Sequence, residues 1–420
     1  MVKHSQNGFR HFYYGWWVVL STAIVYGFMG GLNYSAFSVY FLPLAREFSI
    51  SRTKVSIIFS LRSLLDVFTG PIGGIVVDKL GPRFMVMGGM LIGGIGFILM
   101  AGTRSYLQLI LVLMGFVSLG FSMPDHGVTA GINSWFRRRL GFAISLASSG
   151  FGIGGFLLTP VIAWLVLQYS WRLGAITSGI IILAIGIPIS LIFRNPKQGE
   201  TDSEDSVEPE NDSQKFPVTP HNQEFSLKES LNTWAFWLLG ISLGLRLLAQ
   251  HTLMVHIVPI LVDIKLSEGV AASLVALVAL SRLPTSLTAG FIADRWSRQK
   301  ICGIANLFGC FACFTLLFSH SGLGTGIIFA VLFGSAHASN AITWALIGQF
   351  FGRKNFGTIR GVISLIPSIA TALGPILAGW SYDQSSSYNT SLIVIGVMYL
   401  GAASIFWFLK TPKGNSLPSK

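Results

Sequence analysis

Arg282 stands halfway along an apolar run from Val270 to Ala293, which ends in the polar turn Asp294-Arg295-Trp296-Ser297-Arg298-Gln299-Lys300. A guanidinium at the centre of a membrane helix costs about 2.5–3.5 kcal/mol on insertion scales, so it persists where it faces a partner or a watery cavity. It stays charged and offers a planar, two-pronged set of N–H donors, which suits a carboxylate. A permanent ion pair with an aspartate of another span and contact with a mobile anion both meet that need. The pattern occurs twice. A shift of 216 residues places Asp294 on Asp78, Gly290 on Gly74 and Arg282 on Asp66, within a related stretch from Lys54 to Arg83.

Other ionisable groups fall inside apolar runs. Arg62 and Asp66 are four residues apart, which puts them on one helix face, either as an internal pair or as a coupling element. Asp125 and His126 follow Pro124, where a desolvated carboxylate suits reversible protonation; a fixed pair with Arg137 is the plainer alternative. Arg246, Gln250, His251 and His256 share one run. Either histidine could titrate near neutral pH, or serve only as a hydrogen-bonding group. Asn33, Tyr34, Asn340 and Trp344 are candidate cavity-lining residues, whereas Trp16, Trp17, Trp234 and Trp237 read as interface anchors.

The elements that must position these groups are membrane helices. Of the 420 residues 52% are hydrophobic and only 11% charged, against about 25% charged in an average soluble domain. Runs such as Gly179 to Phe193 and Ser391 to Phe406 are apolar throughout rather than alternating, which excludes barrel strands and leaves helices. At about 20 residues per span, twelve helices fit an all-α membrane protein: 15–41, 53–77, 84–103, 106–131, 139–167, 173–193, 233–262, 269–293, 301–319, 323–350, 357–381 and 389–409. Residues 1–193 form one six-helix half, 194–232 a polar linker with an acidic run from Glu200 to Asp212, and 233–420 the second half. The first run has no small-residue cleavage site and reads as an uncleaved span.

The net charge of +12 is spread in short groups between apolar runs, so topology explains it and nucleic acid does not. With both termini inside, 20 of 29 lysines and arginines fall in inner segments and six in outer ones, the other three being Arg62, Arg246 and Arg282. The expectation is a multi-pass protein of the cell membrane with cytoplasmic termini. The halves also repeat each other elsewhere. Trp135-Phe136-Arg137-Arg138-Arg139 recurs as Phe350-Phe351-Gly352-Arg353-Lys354, and Pro160 as Pro375, both at an offset of 215. Such repeats place substrate sites near the bilayer midplane between halves.

Gly74-Ile-Val-Val-Asp78-Lys79-Leu-Gly81-Pro-Arg83 resembles the inner-loop signature of the major facilitator superfamily, and Gly290-Phe-Ile-Ala-Asp294-Arg295 with Arg298 and Lys300 resembles its second copy. In that role the glycines permit close helix approach, and the aspartates act as latches that hold one conformation. Tyr14-Gly15-Trp16-Trp17, Trp135-Phe136 with Arg137 to Gly141, Gly150 to Pro160, Trp171-Arg172 and Ser281-Arg282 resemble the monocarboxylate transporter group and its bacterial relatives, among them oxalate/formate antiporters. The resemblance implies that Arg282 binds the substrate carboxylate. It also has gaps. Val278 stands where many animal relatives carry an aspartate, no lysine lies between Gly361 and Trp380, and the region Leu32-Asn33-Tyr34-Ser35 lacks the lysine of span one.

The resemblance thus implies a proton-coupled transporter of small organic anions, in the first place monocarboxylates, working by alternating access; the expectation is a monomer, with Arg246 as a second midplane cation. The proton candidates are Asp66, Asp125, His126, His251 and His256; Gly74, Asp78, Lys79, Gly81, Arg83, Gly290, Asp294 and Arg295 form the gating loops. An anion exchanger, an exporter of a larger amphipathic compound and a non-transporting sensor are the alternatives. No catalytic pattern, phosphate-cradling loop or cofactor motif is present. Cys302, Cys310 and Cys313 lack the further ligands of a metal site and read as core residues.

Overall fold

Several helix starts follow the capping rule. Ser51, Ser105, Ser170 and Thr233 each accept a hydrogen bond from the amide three residues on, at Lys54, Gln108, Leu173 and Phe236, satisfying one of the amides that a helix N-terminus leaves bare. The computed structural model describes residues 13–136, 139–196, 200, 224–293, 295–318, 322–352 and 355–412; the side chains of 63, 64, 66–72, 74, 75, 78 and 341 also lie outside the description. Among the described residues, ten helices are long and apolar enough to cross a membrane.

We number the spans α1 (Gly15–Glu47), α2 (52–80), α3 (82–101), α4 (Tyr106–Trp135), α5 (Leu140–Gln168), α6 (Trp171–Ser190), α7 (Trp234–Asp263), α8 (Glu268–Ala293), α9 (Arg298–Phe318), α10 (323–351), α11 (Phe356–Ser385) and α12 (Asn389–Phe408). These passes are consistent with the twelve expected. The break between α2 and α3 is Gly81, with φ 81° and ψ 166°. An L side chain rarely adopts that conformation, so a glycine is required.

Within the 194–232 segment, Ser226 and Glu229 form a capping box that starts a short helix, Leu227–Leu231. This part of the expected linker is therefore ordered. The local chemistry dictates it: the serine and glutamate satisfy each other's backbone donors.

Glycine faces set the helix contacts inside the first six spans. A side chain at Gly154 would strike Gly27, and one at Gly150 would strike the backbone of Ala23, so α1 and α5 pack backbone to backbone. The first and last six spans meet where α5 lies on α8, α2 on α11 and α1 on α7. A buried core runs through both sets, taking in Phe41, Phe59, Leu253 and Tyr388, while a second core of Phe236, Leu346, Phe351 and Ile359 belongs to the last six alone.

Candidate functional site

Near its middle, α1 leaves α-helical geometry. Met29–Ser35 winds as a π-helix and Ala36–Tyr40 as a 3-10 helix, which displaces side chains from the regular face and is common at functional positions. Asn33, Tyr34 and Ser38 from this segment line a cavity of about 370 Å³, with Arg62 from α2, His251 from α7 and Thr371 from α11. The Asn33 Oδ1 is buried without a hydrogen-bond partner. That cavity has the size of small-molecule pockets. Arg62 stacks over Phe37 at 5.0 Å, and His251 Nδ1 donates to the Thr371 carbonyl at 3.1 Å.

Tyr34 and Met254 also line a second, smaller void that holds Arg282, Phe151 and His337. Small residues on α5 make this possible: a side chain at Gly152 would meet Leu283 at 2.8 Å, and one at Gly155 would meet Ala279 at 2.7 Å. With α5 and α8 so close, the Arg282 guanidinium lies over the Phe151 ring, 4.7 Å from its centroid. A ring face attracts a cation without neutralising it. Arg246 is 1% exposed, donates to Asn340 Oδ1 and, at 3.3 Å, to Gln250 Oε1, and leaves its Nε without a partner. Tyr34 reaches Gln250, and both arginines act on its hydroxyl. Among the described residues, no carboxylate forms an ion pair with Arg246 or Arg282.

The expected site residues divide accordingly. Asn33, Tyr34 and His251 line the central cavity, and Arg282 lines the smaller void beside it. Arg246 and Asn340 sit behind them as a buried pair. Trp344 lies beneath the Arg360 guanidinium at 4.5 Å and is absent from the cavity wall. Asp125 is exposed, next to His126 in the chain, and the Arg360 charge acts on it. Arg137 and Asp294 lie outside the described residues, as do the side chains of Asp66, Gly74 and Asp78. Lys79 and Arg83 are exposed, and Arg295 stacks on Phe291 at 4.3 Å. At Gly290 an added methyl group would meet nothing within 4 Å, so close helix approach does not account for that glycine. Cys302, Cys310 and Cys313 are buried in the core.

Sequence reasoning missed His337 and Phe151. A histidine inside an apolar run was visible at 337, but only the packing of α10 on α8 reveals its neighbour.

One end of the bundle is fastened across the two sets of helices. There Arg46 pairs with Glu268, and the Asp383 carboxylate accepts from the amides of Arg52 at 3.1 Å and Thr53 at 3.0 Å. Deeper in, His256 is fully buried. Its Nε2 faces the Pro375 carbonyl and Ser56 Oγ, both at 3.0 Å, and its Nδ1 faces the Tyr388 hydroxyl at 2.8 Å. Because the carbonyl can only accept, the hydrogen is on Nε2 and Tyr388 donates to Nδ1. That uses the ring's lone pair, so His256 is a fastener rather than a free base.

Two sets of six apolar helices around a polar central cavity, closed at one end, make up the architecture of a secondary transporter. The chain belongs to the Major Facilitator Superfamily, whose family model matches residues 23–257 and 231–420. It is similar to rat monocarboxylate transporter 12, at 24% identity over 95% of this chain and 86% of that protein. It is also similar to rat monocarboxylate transporter 13, at 26% identity over 93% and 88%, and to chicken monocarboxylate transporter 4, at 22% over 95% and 84%. In fold it resembles a bacterial homologue of the human lysosomal transporter Spinster in an inward-facing, occupied conformation, with TM-score 0.70, 16% identity and coverage of 94% and 97%. The unoccupied inward-facing form gives TM-score 0.73. The chain is thus a multi-pass membrane transporter related to monocarboxylate transporters, and not an enzyme.

Proposed function

We propose that the protein carries small organic anions, in the first place monocarboxylates, across the cell membrane by alternating access and together with a proton. The observation that carries this reading is the Arg282 guanidinium, which faces α5 across a central void, over the Phe151 ring and, among the described residues, without an ion-paired carboxylate. A carboxylate would supply the missing countercharge through two charge-assisted hydrogen bonds. A proton moved in the same direction would cancel the charge and remove the opposing term of about 2.3 kcal/mol per charge per 100 mV. The relatives' names support a monocarboxylate as the substrate. The lysine and arginine bias supports cytoplasmic termini, which would put the fastened end outside and make this conformation inward-facing. The protein would act as a monomer.

Uptake of labelled lactate into proteoliposomes tests the reading. Transport of lactate, pyruvate or acetate that depends on Arg282 is the expected result; flux unchanged in Arg282→Ala would overturn the assignment. A second reading, exchange of organic dianions, is favoured by Arg62 on the wall of the larger cavity. Counterflow into preloaded vesicles without any response to a pH gradient would select it.

A further inference from the structure

Gly334 is where α10 comes against α8: a side chain there would strike Ser281 and the Val278 carbonyl at 2.7 Å. Three residues on, and so on the same helix face, His337 reaches the void that holds Arg282, Tyr34 and Phe151. The residue is 2% exposed. Its Nδ1 bonds to the Phe333 carbonyl at 2.9 Å. A carbonyl oxygen only accepts, so Nδ1 carries the hydrogen and Nε2 keeps its lone pair. Among the described residues nothing donates to that nitrogen. The void itself measures about 10 Å³, about the space of one water molecule. A buried base with a fixed tautomer therefore sits in the same void as an arginine that has no countercharge among the described residues.

We propose that His337 is the proton acceptor of this transporter: its Nε2 takes a proton when a carboxylate seats on Arg282 and returns it when the carboxylate leaves. This rests on the reading of Arg282 as the carboxylate site. The charged and titratable groups facing the ring are few. Arg282 from α8 and Arg246 from α7 act on it, Tyr34 comes from α1, and α9, packed on α10, carries the buried Cys302, Cys310 and Cys313, the last of them against Gly396 of α12. The neighbouring face of α5 is uncharged, with Phe151 and Gly152. Two guanidinium charges oppose a third positive charge on the ring. An anion on Arg282 removes that opposition, so the N–H bond at Nε2 forms with a proton from hydronium in the cavity, whose O–H bond breaks to leave water. The pair crosses with one carboxylate and one proton and no net charge. When the carboxylate departs, the repulsion returns and expels the proton on the other side.

The test uses proteoliposomes with a pH gradient of one unit and labelled lactate, pyruvate or acetate. One proton per anion can drive roughly tenfold accumulation across such a gradient. In His337→Gln and His337→Asn the accumulation should fall to about onefold, while counterflow of the same anion against unlabelled anion remains measurable. Retained counterflow shows that each variant is folded and still binds its substrate. Accumulation that remains near tenfold in both variants overturns the role of His337 and leaves the Arg282 reading intact. Loss of counterflow in both variants also overturns it, making the ring a structural or substrate-binding group. If none of the three anions moves in the wild type, the substrate reading fails first, and this proposal with it.

Discussion

The centre of the bundle and its fastened end treat charge in opposite ways. At the fastened end, Arg46 has Glu268, the first amides of α2 have Asp383, and both nitrogens of His256 are engaged. At the centre, Arg282 has an aromatic ring and Arg246 has two amide oxygens. Satisfied groups hold a conformation. Groups left short of a countercharge create a demand that a mobile anion can meet, and a carrier needs both kinds in the same molecule. The difference also separates the histidines: the one at 256 has spent its lone pair on Tyr388, whereas the one at 337 has not.

Substitutions at four positions would sharpen or break this comparison. The largest effect is expected at Arg282, where hydrogen bonds to a charged group are worth about 1.5–3 kcal/mol. Arg282→Ala should lower lactate uptake on the order of 100-fold, with Arg282→Lys intermediate because an ammonium lacks the planar fork. A smaller response is expected from His256→Phe, which leaves the Tyr388 hydroxyl and Pro375 carbonyl without this partner, at about 1–3 kcal/mol. It should raise thiol labelling of a Ser38→Cys reporter in the cavity, applied from the fastened side, by about tenfold. Asp383→Ala should raise the same labelling about fivefold, since this carboxylate is exposed and screening trims its contribution. The smallest change should follow Arg46→Gln. With Arg46 63% exposed, the pair is worth only about 0.2–1 kcal/mol, and labelling should change by about twofold at most and less in high salt. Equal responses from all four would dissolve the distinction between a demanding centre and a satisfied end.

Much of the frame was legible in the sequence. Apolar runs of span length, the duplicated glycine-aspartate motifs and Pro160 against Pro375 follow from membrane physics and repetition, without knowledge of which side faces which. The site was read less well because depth and facing are tertiary properties. Trp344 and Asn340 are four residues apart on one helix, yet one stacks on Arg360 and the other accepts from Arg246. His337 carried no spacing signal to link it with Arg282; the missing side chains at Gly326 and Gly334 let their helices come together. Nor did Asn33-Tyr34 announce a π-helical turn, because that geometry depends on packing against α5.

The start of α2 has two caps of different origin. Ser51, its own neighbour in the chain, holds the Lys54 amide, while Asp383, from the far side of the molecule, holds those of Arg52 and Thr53. If the two sets of helices part at this end, the borrowed cap departs and the native one stays. Water can replace the carboxylate, and the first turn need not unravel. The fastening is therefore detachable at the level of single hydrogen bonds, so the same helix end can be released and recaptured on every cycle without having to fold again.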